Sequence, residues 1–156
     1  MLNLITDRTA RDVASLQELA AKPVREWTAA EKAAYHANHK GAYNYTDLNR
    51  VENAVKSLAD LLIECGYPVK ILATRTNWLA SDTPTVTDMT RYLENVRIIR
   101  AAFHTLPTTP QVPASMRGLT YDKANAIEKV LADVDTLLSN MIASYTYSGD
   151  VFGGEV

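Results

Sequence analysis

A chain of 156 residues with 47% hydrophobic and 22% charged side chains has the size of one domain, long enough to bury roughly 70% of the surface that its unfolded form exposes. Its 16 basic residues are interleaved with 18 acidic ones, which argues against the basic face of a nucleic-acid binder, and Cys65 as sole cysteine excludes an internal disulfide and, with 3 histidines, a structural zinc site. Residues 1–7 reach a charge before a secretory apolar region can form and no run is long enough to span a membrane, so a protein that is cytosolic when synthesised, without a membrane partner, is expected.

In chain order, Thr9-Ala10-Arg11-Asp12 reads as an N-cap with an acid three residues on, followed by Val13, Leu16, Leu19 and Ala20 at helical spacing and closed by Pro23. Thr28-Ala29-Ala30-Glu31 is a capping box that opens an alanine-rich helix through about Lys40, with Trp27 as packing anchor. The small face Ala30, Ala33, Ala34 and Ala37 predicts close approach to a neighbour, and Gly41 is expected to stop the helix in the left-handed conformation. A third helix is expected from a Thr46 N-cap, with Leu48, Val51, Val55, Leu58, Leu62 and Cys65 on one stripe, ending at Gly66 and Pro68.

From Tyr67 to Pro84 the helical period is lost. Val69-Lys70-Ile71-Leu72-Ala73-Thr74 is β-prone and predicts a short strand or an extended crossover. A fourth helix starts in Thr85-Val86-Thr87-Asp88 and buries Met89, Tyr92, Leu93, Val96, Ile99 and Phe103. Pro107, Pro110 and Pro113 then impose a stiff loop. The last helix runs from Thr120 to about Thr146 and carries the strongest apolar pattern, Ile127, Val130, Leu131, Val134, Leu137, Leu138, Met141, Ile142 and Tyr145. Ser148-Gly149 and Gly153-Gly154 flank Val151-Phe152 and predict an extended or disordered tail over 148–156. The fold class is an all-α bundle of about five helices in one domain over 1–147, with a short extended or β element at 67–84 and at the C-terminus. The helices near Thr46, Thr85 and Thr120 form its core, and the two N-terminal helices pack across them.

Candidate chemistry is sparse. His36 and His39, with Glu31 upstream, read as a metal site lacking a fourth ligand or, more simply, as a solvated helix end. Cys65 falls on an apolar stripe and reads as a buried thiol. Glu18 with Glu26, and Asp133 with Asp135, read as solvent-facing charges, because residues two apart on a helix diverge. There is no Gly-rich phosphate loop and no Gly-x-Ser-x-Gly elbow, so no catalytic, cofactor or metal residue is assigned and a non-enzymatic role is expected.

Two residue sets stand out. Asn44, Asn49, Asn53, Asn95 and Asn125 lie in or beside helices, where asparagine is a poor helix former, so at least two should hold specific hydrogen bonds that set register or line a polar pocket. Tyr35, Tyr43, Tyr45, Tyr67, Tyr121, Tyr145 and Tyr147 cluster at helix ends, with rings over the core and hydroxyls toward water. The candidate interaction residues are Tyr43, Tyr45, Trp78, Tyr145, Tyr147 and Phe152.

Five stretches, Ile5-Thr6-Asp7-Arg8-Thr9, residues 40–52 (Lys40-Gly41-Ala42-Tyr43-Asn44-Tyr45-Thr46-Asp47-Leu48-Asn49-Arg50-Val51-Glu52), Asp88-Met89-Thr90-Arg91-Tyr92-Leu93-Glu94-Asn95-Val96, Leu119-Thr120-Tyr121 and Tyr147-Ser148-Gly149, resemble a module encoded in tail-gene regions of phages and prophages of Firmicutes. The similarity spans nearly the whole chain. It implies a module alone or attached to larger tail or baseplate proteins, no enzymatic activity, and other tail or baseplate proteins as partners, with synthesis in the bacterial cytoplasm and a place in the virion tail. Two function classes follow: a structural or protein-interaction module, and a small-ligand or glycan-binding helical domain with the Asn and Tyr groups and Trp78 around a pocket.

Overall fold

The computed structural model describes residues 2–37 and 39–152, with side chains through Tyr145. It is the all-α bundle expected: α1 (Ala10–Ala20), a 3-10 turn (Val24–Glu26), α2 (Ala29–His36), α3 (Tyr45–Glu64), α4 (Val86–Ala102) and α5 (Tyr121–Phe152). No strand occurs among the described residues. α3, α4 and α5 pack against one another, and Leu58, Leu62, Val96, Val134 and Leu138 are buried between them.

The three core helices run in the same direction. Near their starts, Arg50 of α3 pairs with Glu128 of α5, and Glu52 of α3 with Arg91 of α4. At the opposite pole Tyr67, just past α3, packs its ring 4.9 Å from Phe103 at the end of α4 and donates its hydroxyl to Met141 of α5. Parallel neighbours force each connection to return the length of a helix, about 30 Å for the 20 residues of α3. Residues 67–84 and the proline-rich 103–120 are those returns.

The β-prone stretch is extended without being a strand, because no second strand lies beside it. Its backbone is paired with side chains of the helices instead. The Leu72 N–H donates to Asn95 Oδ1 (2.8 Å) while Asn95 Nδ2 donates to the Leu72 carbonyl (3.1 Å). Asn49 closes the same ring on Trp78, at 2.7 and 2.9 Å.

Several local expectations are corrected. The N-cap of α3 is Asn44, not Thr46, and its capping box is completed by Asp47. α2 stops at His36 rather than near Lys40, and positive φ among the described glycines belongs to Gly66 and Gly118, so Gly41 is no left-handed cap. Gly41 is needed for space, since a Cβ there would sit 2.1 Å from the Asp12 carbonyl oxygen. The alanines at 30, 33, 34 and 37 are exposed, α2 buries no side chain and α1 buries only Leu19. These two helices therefore do not pack across the core as layers. They form a small flap stapled by Trp27, whose indole donates to the carbonyls of Leu19 (3.0 Å) and Lys22 (3.1 Å) and whose ring meets Tyr35 at 5.4 Å.

The C-terminal expectation is also corrected. α5 continues through Ser148 and Gly149 to Phe152, since extending a long, already nucleated helix through one glycine costs only about 1 kcal/mol. Residues 153–156 lie outside the described residues.

Candidate functional site

The pole where α3, α4 and α5 begin is assembled by polar side chains that hold the crossing segments. Residues 2–8 run extended along α5. The Leu2 N–H donates to Asp135 Oδ2 (2.8 Å), the Ile5 N–H to Glu128 Oε2 (2.7 Å) and the Arg8 N–H to Asn125 Oδ1 (2.9 Å), with Asn125 Nδ2 returning a bond to the Arg8 carbonyl (2.8 Å). Three extended residues cover about 10 Å, as do seven helical ones, so the step from Leu2 to Ile5 matches the step from Asp135 to Glu128.

Beneath this strap lies a buried ionic quartet. Arg8 donates to Asp47 (2.8 Å) and Glu128 (2.6 Å), and Arg50 donates to Glu128 (2.8 and 2.9 Å) and to Asp47. Two cations balance two carboxylates, and Asn44 N–H and Ile5 N–H take further carboxylate lone pairs, the condition under which buried charge is tolerated. Burial opposes the charge on Arg50, yet its bonds to Glu128 and the charges of Glu128 and Asp47 leave its pKa raised. A second buried carboxylate, Glu52, is held by both terminal nitrogens of Arg91 (2.7 and 3.0 Å) and accepts from the Arg75 N–H (3.1 Å).

A cleft of 490 Å³ opens between the α2 flap, the crossover and the core helices. Tyr35, Tyr43, Tyr45, Trp78, Met89 and Leu119 are among its walls. Trp78 is 2% exposed and lies under the Arg75 guanidinium, 3.9 Å from its ring centre. Tyr43 shares a 2.5 Å hydroxyl–hydroxyl bond with Tyr92, and burial raises the pKa of both. Two N–H donors of residues near the cleft, Trp78 Nε1 and Asn44 Nδ2, are sealed from solvent and have no hydrogen-bond partner among the described residues. The Asn44 amide orientation follows from its oxygen, which accepts from both the backbone and the hydroxyl of Thr46 (2.9 and 2.7 Å).

The six candidate interaction residues are thus divided between two poles. Tyr43, Tyr45 and Trp78 converge on the cleft. Tyr145 lies near the far end of α5 and is 72% exposed, while the side chains of Tyr147 and Phe152 lie outside the described residues. The Tyr43 hydroxyl does not reach water as expected, because Tyr92 meets it under the cleft floor.

Among the asparagines, Asn49, Asn95 and Asn125 clamp extended backbone to the core helices, Asn44 caps α3, and Asn53 bonds its own helix. Asp133 and Asp135 are buried rather than solvent-facing: Asp133 accepts from Thr109 (2.7 Å) and Asp135 from Leu2. Both point to the connecting segments, which residue spacing within α5 cannot register. Among the described residues no His, Cys, Asp and Glu group is arranged to hold a metal ion, and His39 Nδ1 accepts from the Gly41 N–H (3.1 Å). Cys65 is the half-buried C-cap of α3.

The buried ions were missed in the sequence, although one signal was present. Glu128 sits beside Ile127 and between Ala124 and Leu131 on the apolar stripe of α5, and a charge inside a stripe requires a buried partner. No helix among the described residues is long and apolar enough to cross a membrane. No protein-family model, curated protein or solved structure matches this chain.

Proposed function

We propose that this chain is a non-enzymatic structural and protein-interaction module of a phage or prophage tail, working in the virion and docking on tail or baseplate proteins through the end of α5. The supporting observation is continuity. The stripe that is buried at Ile127, Leu131, Val134 and Leu138 continues through Met141 to Ile142 and Tyr145, which are exposed. Met141 already lies level with the end of α3, so the remaining 11 residues to Phe152 extend about 16 Å beyond the bundle. Helix-on-helix docking uses such a stripe, with an aromatic anchor at its centre.

The test is deletion of residues 144–156 in a lysogen that produces tails. The truncated chain is expected to keep the melting temperature of the full chain while losing copurification with the tail and baseplate subunits encoded beside it. Unchanged copurification would remove α5 from the interface. A small-ligand or glycan-binding role is the second reading, and the 490 Å³ cleft lined by Tyr35, Tyr43, Tyr45 and Trp78 favours it.

A further inference from the structure

Resting on the reading of the α5 end as a docking element, we propose that its first partner is a second copy of this chain, paired antiparallel across a two-fold axis. From Ile127 through Leu131, Val134, Leu138, Met141 and Tyr145 the apolar positions are alternately four and three residues apart, and the same spacing runs on through Ser148 to Phe152. This is the spacing of a coiled-coil seam. Its first four members close on α3 and α4, and the seam then passes beyond the bundle, where Tyr145 is exposed. No charged residue lies between Asp135 and Asp150, in a chain that is 22% charged. A helix that stands in water by itself carries charge on its outward face, and an end of 11 residues with serine, threonine and glycine in it is too short and too poor in helix formers to hold its structure without packing.

The direction of the core helices selects the arrangement. Because the seam of α5 faces α3 and α4 of its own chain, a partner helix laid on the protruding end lies in line with the ends of those two helices. A parallel partner would bring its own α3 and α4 into the space that the first α5 fills, so that arrangement clashes. An antiparallel partner carries its bundle beyond the tip, and its α5 end comes down on the pole where α3 and α4 stop. That pole is apolar: Ile63, next to last in α3, and Leu106, just past α4, are exposed there. Setting position 145 opposite 148 also sets 141 opposite 152, so the 11-residue overhangs match in length. Every layer then pairs the two kinds of seam position, and no like charges meet.

Sedimentation equilibrium of the full chain should show a monomer–dimer equilibrium. Tyr145→Glu, at a position exposed in the single bundle, should raise the dimer dissociation constant at least about tenfold and leave the helical circular dichroism unchanged. Orientation is read by disulfide trapping. In a Cys65→Ser background, chains carrying Tyr145→Cys and chains carrying Ser148→Cys are mixed in a glutathione redox buffer. Antiparallel pairing gives the mixed disulfide between the two chains, whereas parallel pairing gives the disulfide of the Tyr145→Cys chain with itself. A chain that stays monomeric up to millimolar concentration overturns the self-pairing, and the copurification of the truncated chain then decides separately whether a tail subunit docks on α5. A dimer that Tyr145→Glu leaves equally tight, or a predominance of the self-disulfide, overturns the antiparallel α5 pair. A dimer weakened by Tyr145→Glu and trapped as the mixed disulfide upholds the pair even if copurification survives deletion of residues 144–156, a result that overturns only the docking on tail subunits.

Discussion

At the scale of single residues, three asparagines do the work that a neighbouring strand does in a sheet. Asn49, Asn95 and Asn125 each offer one donor and one acceptor, and each returns both backbone bonds of one residue in an extended segment. This is why asparagine is kept in helices despite its low propensity. Asn95→Leu keeps a similar volume but leaves the N–H and carbonyl of Leu72 unmatched, and should cost about 1–3 kcal/mol in urea unfolding. Asn53, exposed and bonded only within its own helix, is the control and should tolerate the same change within about 0.5 kcal/mol. The Tyr43–Tyr92 pair gives a pH signature. Burial raises both hydroxyl pKa values above the ordinary 10.0, so the folded state holds these protons longer than the unfolded one. The stability they contribute is complete below pH 10 and is lost as pH rises beyond it. Ultraviolet titration should therefore show two of the 8 tyrosines ionising only together with unfolding, and Tyr92→Phe should remove one of them.

At the scale of elements, the helix starts are the best-defined feature. Thr9 with Asp12, Thr28 with Glu31, Asn44 with Asp47 and Thr85 with Asp88 are complete capping boxes. Bonds from Thr9 and Thr85 hold the carboxyls of Asp12 and Asp88 below their ordinary values, and the Lys22 ammonium, followed by Thr28, holds Glu31 down at about 2. A lowered pKa stabilises above the unfolded value and is lost as pH falls through the folded one, so for Glu31 the window runs from 4.5 to about 2. Thermal melts over that range should lose part of their acid sensitivity in Glu31→Gln, because its side chain no longer titrates. An identical acid profile would mean that the exposed Lys22–Glu31 pair contributes nothing measurable, as many surface pairs do. Capping was legible in sequence for α1, α2 and α4 because it is local, whereas the cap of α3 fell to Asn44 and not to Thr46. The position of Gly41 was not, since the carbonyl that excludes a side chain there belongs to Asp12, in another helix.

At the scale of the whole molecule, one seam of apolar side chains joins three parallel helices, and the connections between them are held on by buried polar and charged groups. Leu138 is fully buried in that seam, so Leu138→Ala should cost about 2–5 kcal/mol by denaturant unfolding. A loss well below that range would mean that the pole near Tyr67 relaxes to fill the space. The sequence by itself determined the number of helices, the starts of α1, α2, α4 and α5 and most of the faces that α3, α4 and α5 bury, because propensity, capping and the 3.6-residue period act over a few neighbours. It also singled out Tyr43, Tyr45 and Trp78 as candidate interaction residues, and these three line one cleft. Only the tertiary structure decided that the core helices run parallel, that the β-prone stretch lies against helices rather than beside a strand, and that Arg8, Asp47, Glu52 and Glu128 are buried. Those outcomes depend on partners 23 to 123 residues away in the chain, and the free energy of a buried charge is set by the partner it meets, which no local pattern encodes.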